Sequence, residues 1–476
     1  MVVVHGDQDE EVATRGRAMD ELDVQDVRRR VLAGEALFVL NRRTVVKADE
    51  AWLRSHPGGA KAILHMVGRD ATDEVNAYHG KEARQLMRSC AVGRVKGWTN
   101  MRPPIQAASA PIATQDDDLN HELITRKYRE LEVRVSKAGY FRCGFSGYAR
   151  EIARYGALGM LSFVFLRNQC FLTSAIFLGL LWHQLVFTVH DAGHTGITHN
   201  YTIDTLISIF IADLIGGLSM GWWKDNHNVH HLVTNHPEHD PDIQHMPFFA
   251  TSKRLLESLR STYYNRVMTF DAVAQCMIRI QAYTYYPILC FGRFNLYVLS
   301  WTHLLTNRAT GRPAFFRRLE IACMVVFWYW FGYLVVYRSI PDVGSRIGFV
   351  LVSHVVTMPL HVQITLSHFA MSTSDLGAEE SFAAKMLRTT MDVSCPAWLD
   401  FIHGGLQFQA VHHLFPRMPR HNLRSVQPLV RDFCKEVGLE YSIYGFVDGS
   451  QKVFSRLDEI AQQARIMQAC AKSMIA

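Results

Sequence analysis

Seven histidines in three short clusters constrain this chain more than any other feature. The first cluster is His190-Asp191-Ala192-Gly193-His194, and the second is His227-Asn228-Val229-His230-His231. The third is Gln409-Ala410-Val411-His412-His413. The first pairs its imidazoles at i and i+4. The other two share an i, i+3, i+4 pattern, the chain's one internal echo. On a helix these offsets place the side chains on one face, a turn apart, which is how a single helix offers several donors to one metal. The fold must therefore bring three distant helical turns to one point, and seven such donors suggest a two-metal centre.

At 476 residues the chain exceeds one hydrophobic core, so two units are expected. Residues 1–150 read as charged and soluble, and apolar runs follow between about 152 and 366. The net charge of +6 is dispersed, without the dense Lys/Arg block that nucleic acid requires, and suits an anionic membrane face. Nine cysteines stand singly with no CxxC, which fits reduced thiols and excludes a disulfide framework or zinc ribbon. The polar N-terminus carries no signal-peptide pattern, so internal segments are expected to target the chain.

The N-terminal unit, residues 20–97, has its own signal. Asp23 is placed to cap a helix, and Ala36–Leu40 and Thr44–Val46 read as strands around an Asn41-Arg42 turn. Trp52 and His56-Pro57-Gly58-Gly59 then form a tight turn whose glycines let the backbone approach something flat and bulky. Gly68-Arg69-Asp70-Ala71-Thr72 and His79 follow. These words resemble cytochrome b5. The resemblance implies a small α+β domain binding haem b, with His56 and His79 as axial ligands. His79 is followed by Gly80 where many relatives have Ser, which leaves the ligand in place. Two imidazoles on the iron favour electron transfer over oxygen binding. His65 falls within an expected helix, Ala60–Met66, and is read as structural. Residues 98–125, with three prolines and the run Asp116-Asp117-Asp118, read as an extended linker. A tethered donor raises its own effective concentration at an acceptor.

Tyr155–Val189 is too long for one span and suits two, turning at Arg167-Asn168-Gln169. Leu319–Tyr337 and Arg346–Leu366 read as a second hairpin. Ile203–Trp223 and Gln281–Trp301 carry Asp204, Asp213, Arg293 and Asn295, so both are read as interfacial or re-entrant. Each hairpin returns the chain to its starting side, which puts all three clusters and the N-terminal unit on one face. A true crossing at Ile203–Trp223 would separate the first two clusters.

Zinc is redox-silent and would leave a haem unit idle, and copper usually takes fewer imidazoles, whereas iron suits N/O ligation with positions open to O2. The ExxH pairs of carboxylate di-iron bundles are absent. Residues 150–440 resemble membrane fatty-acyl desaturases, and the fused haem unit with Gln409 at the head of the third cluster marks the front-end branch. Trp222-Trp223-Lys224-Asp225-Asn226-His227 through Phe248 looks like the fungal sphingolipid delta-8 desaturases.

The resemblance implies an all-α polytopic membrane unit over 126–450, with two transmembrane hairpins and a cytosolic helical cap, and a tail over 451–476. It implies two non-haem irons held by His190, His194, His227, His230, His231, Gln409, His412 and His413. His368 is a further candidate ligand with His361 as its competitor, and Asp191, Asp225, Asp240 and Asp242 are candidates to orient the imidazoles. The expected reaction is O2-dependent desaturation of a sphingolipid long-chain base in the endoplasmic reticulum membrane. With no GxGxxG fingerprint, the electron source is expected to be a separate NADH-dependent cytochrome b5 reductase. A front-end fatty-acid desaturase, a hydroxylase on the same scaffold and a membrane-anchored haem carrier are the competing readings.

Overall fold

The computed structural model describes residues 19–106, 120–306 and 312–475. The N-terminal unit is built on a three-stranded antiparallel sheet in the order β1 (Leu37–Leu40), β2 (Thr44–Lys47), β3 (Ala91–Arg94). The three-residue β1–β2 connection, Asn41–Arg43, places both Asn41 and Arg42 at positive φ, the conformation that lets a tight hairpin follow the strand twist. Helix Val24–Leu32 begins where Asp23 accepts a hydrogen bond from the Asp26 amide. His65 ends the short helix Ala60–Leu64 and is fully buried, its Nδ1 2.9 Å from the Gln106 side-chain amide. The expected linker is partly packed. Trp98 is buried in the core of this unit, and Asn100 bonds to Glu379 and the Ala378 carbonyl. Its central stretch, 107–119, lies outside the described residues.

The second unit is helical. Helices Phe145–Arg167 and Phe171–Gly193 form the first hairpin, closed at Gln169 in the left-handed region. The second pairs Ala314–Arg338, whose second half is π-helical, with Val343–Phe369. Three described helices are long and apolar enough to cross a membrane: Phe171–Gly193, Ala314–Arg338 and Val343–Phe369. Phe145–Arg167 runs beside the first of these and turns Met160, Leu161, Phe163 and Val164 outward. Trp182, Phe327, Phe331 and Phe349 pack between the hairpins. A Cβ on Gly179 would lie 2.5 Å from the Ser353 carbonyl, so only glycine allows the helices this close.

Neither polar apolar stretch forms a straight span. Tyr201–Ile215 and Met220–Leu232 meet at 118°. Gln281–Leu289 and Gly292–Leu305 are separate short helices, and the buried Arg293 stacks over Trp182 at 4.1 Å. The 118° bend has a functional consequence. It returns Met220–Leu232 to the N-terminal unit, where Val229, Leu232 and Val233 join that unit's hydrophobic core.

A cap of helices His121–Lys137, Phe382–Thr389, Gln409–Leu414 and Leu423–Val437 closes the same end around Tyr128, Phe415 and Phe433. The described part of residues 451–476, read from sequence as a tail, belongs to a 30-residue helix, Phe446–Ile475. Val453, Leu457, Ile460 and Ala464 are fully buried along it, and Gln281 donates to the Leu457 carbonyl at 2.7 Å. The apolar residues recur at helical spacing between charged ones, so the mean composition concealed the packing face.

Candidate haem and metal centres

In the N-terminal unit His56 and His79 face each other with ring centroids 5.9 Å apart. Two metal–nitrogen bonds of about 2 Å plus two ring radii span about 6 Å, the separation of two imidazoles on one metal. The Nδ1 atoms are already tied to backbone: His56 donates to the Gly59 carbonyl at 3.1 Å and His79 to the Val75 carbonyl at 3.1 Å. This leaves each Nε2 free to face the gap. Gly59 sits at φ +81, and a Cβ on Gly58 would lie 3.0 Å from the His56 ring. Both glycines of the turn are thus required by geometry. Burial, then the proximity of His56, pushes the His79 imidazole down to about 3, and burial lowers His56 as well. Both therefore hold the neutral form that binds a metal. The cavity here measures about 1020 Å³ and is walled by Phe38, Trp52, Ile63 and Val75. Its apolar wall and facing imidazoles fit haem b.

The same cavity reaches the second unit, where Gly193, His194, Thr195, Lys224 and Arg417 line it. Tyr78, the residue before His79, sets its ring edge against His231 with centroids 6.0 Å apart.

The three sequence clusters converge as their spacing required. Donor atoms of His190, His194, His227 and His412 lie within 4.8 Å of one another. His231 Nε2 is 3.1 Å from His227 Nε2 and 3.2 Å from His412 Nε2. Two metal–nitrogen bonds of about 2.1 Å at roughly a right angle put nitrogens about 3 Å apart. A second group unites His230, His368 and His413, also within 4.8 Å. A third combination, His227, His230 and Asp242, joins the two. His194 Nε2 and His413 Nε2 are buried without a hydrogen-bond partner. Buried polar atoms left unsatisfied in this way fit absent metal bonds. Burial holds His412 and His413 far below the ordinary imidazole range, so both are neutral donors.

His368 lies with its ring centroid 4.7 Å from His230 and 5.0 Å from His413. Its competitor His361, two helical turns earlier, packs against the backbone of Gly292 and belongs to neither group. Seven residues of helix are about 10 Å of axial rise, enough to separate the two. Gln409 is buried one turn before His413.

The four acids divide. Asp240, fully buried, accepts from His230 Nδ1 at 2.9 Å and from the Asn235 amide at 2.7 Å. Asp242 lies 3.6 Å from His227 Nδ1. Asp191 and Asp225 turn away from the imidazoles. Asp191 pairs with Tyr148 and Arg420, and Asp225 lies 3.8 Å from Arg312. Each follows or precedes a cluster histidine by one or two positions, and about 100° of helical rotation per residue carries it to another face. Arg420 also pairs with Glu151, joining the first hairpin to the cap beside His190. Sequence reading did not find Arg420, Tyr78 or Asn235. Asn235 has positive φ and holds the His368 and Thr389 carbonyls through its amide. Its only sequence signal is an Asn where the helix ends.

Known proteins match this arrangement. A cytochrome b5-like haem/steroid binding domain model matches residues 30–96, and a fatty acid desaturase model matches residues 169–445. A Delta 8-(E)-sphingolipid desaturase of Emericella nidulans is 48% identical, covering 93% of this chain and 95% of that protein. One from Kluyveromyces lactis is 44% identical over 95% of each chain. A Delta(8)-fatty-acid desaturase 2 of Arabidopsis thaliana is 35% identical over 87% of this chain and 88% of its own. With two histidine groups at one end of a multi-pass helical unit and a haem cavity opening beside them, the chain belongs to the fatty acid desaturase family, in the form fused to a cytochrome b5-like domain.

Proposed function

We propose that this protein introduces a double bond at the delta-8 position of a sphingolipid long-chain base carried by ceramide or glucosylceramide. The observation that carries the reading is the convergence of two imidazole groups beside the haem cavity, in a chain nearly half identical along its length to proteins named for that reaction. Overall, two hydrogens leave a –CH2–CH2– unit, and one O2 is reduced to two waters with two further electrons and two protons. When bound, haem b supplies one-electron relay and the two irons supply O2 activation and hydrogen abstraction.

The chain supplies positioning. His56 and His79 would hold the haem iron. His190, His194, His227, His231 and His412 serve one iron; His230, His368 and His413 serve the other. Gln409, a neutral amide, completes the set as a weaker ligand. Asp240 fixes the His230 tautomer by accepting from Nδ1, so that Nε2 faces the metal. Asp240→Ala is expected to lower iron affinity about 10- to 100-fold, the range for such supporting carboxylates. Iron retained per chain after dialysis against a chelator measures it, and unchanged retention would remove Asp240 from this role.

The electron donor is a separate NADH-dependent cytochrome b5 reductase, acting on a carrier that accepts one electron at a time. The membrane is that of the endoplasmic reticulum, with the N-terminal unit, the histidine clusters and the C-terminal helix cytosolic. Hairpins that return the chain to one side and nine unpaired cysteines support this orientation.

Expression in a host that lacks sphingadienines, followed by lipid mass spectrometry, tests the reaction and substrate together. The expected result is a new double bond in the long-chain base. A hydroxylated base would replace desaturation by hydroxylation, and unsaturation confined to fatty acids would replace the substrate.

A further inference from the structure

The cavity that accommodates the haem is walled on one side by two cations from the other unit. Lys224, on the helix that carries the second histidine cluster, is 4% exposed. Its ammonium lies over the Tyr201 ring at 4.8 Å. Arg417, just after the third cluster, stands over the haem-ligand segment: a Cβ on Gly80 would lie 3.4 Å from its guanidinium. Its side-chain polar neighbour is His199, whose Nδ1 lies 3.5 Å away. Among the described residues, neither cation has a carboxylate within 4.0 Å. Both line the cavity together with His56 and His79.

A buried ammonium and a half-buried guanidinium without a direct ion-pair partner are disfavoured, the nearest acids (Asp204, Asp225 and Glu320 for Lys224, Asp204 for Arg417) acting only at longer range. Haem b brings two carboxylates on one edge of a flat ring. We propose that Lys224 and Arg417 bind those carboxylates, so that the haem is itself a clamp between the two units. The inference rests on the haem assignment to His56 and His79. It gives the cofactor a second role. Loading haem neutralises the two cations and seats the haem unit against the helix Met220–Leu232. Tyr78 then lies beside His231, and the relay and the metal centre are held at fixed separation.

The test uses the full chain in detergent, produced in a haem-deficient host and loaded with either haem or haem dimethyl ester, whose carboxylates are blocked. Haem loss is followed by transfer to excess apomyoglobin. A Lys224→Met/Arg417→Gln double variant is expected to lose native haem about tenfold faster or more, the scale of charge-assisted hydrogen bonds. The unaltered chain should lose the ester at a similarly raised rate, with the double variant changing that rate less than about twofold. Lys224→Arg and Arg417→Lys should retain native haem almost as the parent does. Equal loss of native haem from the parent and the double variant would overturn the clamp. So would an equal acceleration with the ester, since the cations would then act through the fold. A parent chain that takes up no haem with a two-imidazole spectrum would instead overturn the ligand assignment beneath it.

Discussion

His231→Ala is expected to reduce desaturation at least about 100-fold and to lower bound iron from about two per chain. The reason is local. His231 Nε2 stands 3.1 Å from His227 Nε2 and 3.2 Å from His412 Nε2, and on the proposed ligand set it shares one metal position with them. Its ring also stacks on His413 at 4.1 Å, which belongs to the other group. Removing it opens a gap between the two groups. Three measurements separate ligand loss from misfolding: iron per chain, product by mass spectrometry, and the haem absorption band of the N-terminal unit. The haem band should persist. His361→Ala is the matched control, since that ring lies against Gly292 and outside both groups. Full iron content and parent-level product in His231→Ala would remove the residue from the centre.

The second large effect is at the other cofactor. His79→Ala is expected to abolish tight haem binding and to cut desaturation to the level supported by free cytochrome b5 in the host. His79 is held by its Nδ1 bond to Val75, and its ring faces that of His56. His65 is not a substitute. It is fully buried and its Nδ1 contacts the Gln106 amide on the far side of its short helix. His65→Ala should therefore retain the haem spectrum, while destabilising the unit through the lost packing. Adding excess soluble cytochrome b5 should restore part of the activity of His79→Ala, because the tether supplies effective concentration and the metal centre remains intact. A normal two-imidazole spectrum in His79→Ala would refute the assignment. Failure of free cytochrome b5 to rescue at any concentration would mean that the docked unit, not merely its electrons, is required.

Much of this site was readable from local spacing. The offsets of the histidine clusters forced each set onto one helical face, and the Pro-Gly-Gly turn after His56 fixed a backbone that only glycine allows at Gly59. The spans were readable because apolar runs of span length cannot be left in water. The polar residues in Ile203–Trp223 argued against a straight crossing, and the bend of 118° there agrees. Other features were not local. Asp191 and Asp225 are nearer to clusters in sequence than Asp240 and Asp242, yet only the latter two face a cluster imidazole. The rotation of a helix selects among them, and so does the loop that folds Asp240 back onto His230 ten residues away. His368 and His361 share one helix, and only axial position places the first among the donors.

By itself, the sequence determined the parts: a Pro-Gly-Gly turn after His56, apolar runs of membrane length, and three helical turns armed with imidazoles. These follow from short-range physics, namely φ restrictions, hydropathy and helical periodicity. The tertiary structure alone decided how the parts meet. It placed Val229 and Leu232 in the core of the N-terminal unit, His194, Lys224 and Arg417 around its haem cavity, and a buried helix where a tail was expected. Such contacts join residues far apart in sequence through packing and charge, and no periodicity within either segment encodes its partner.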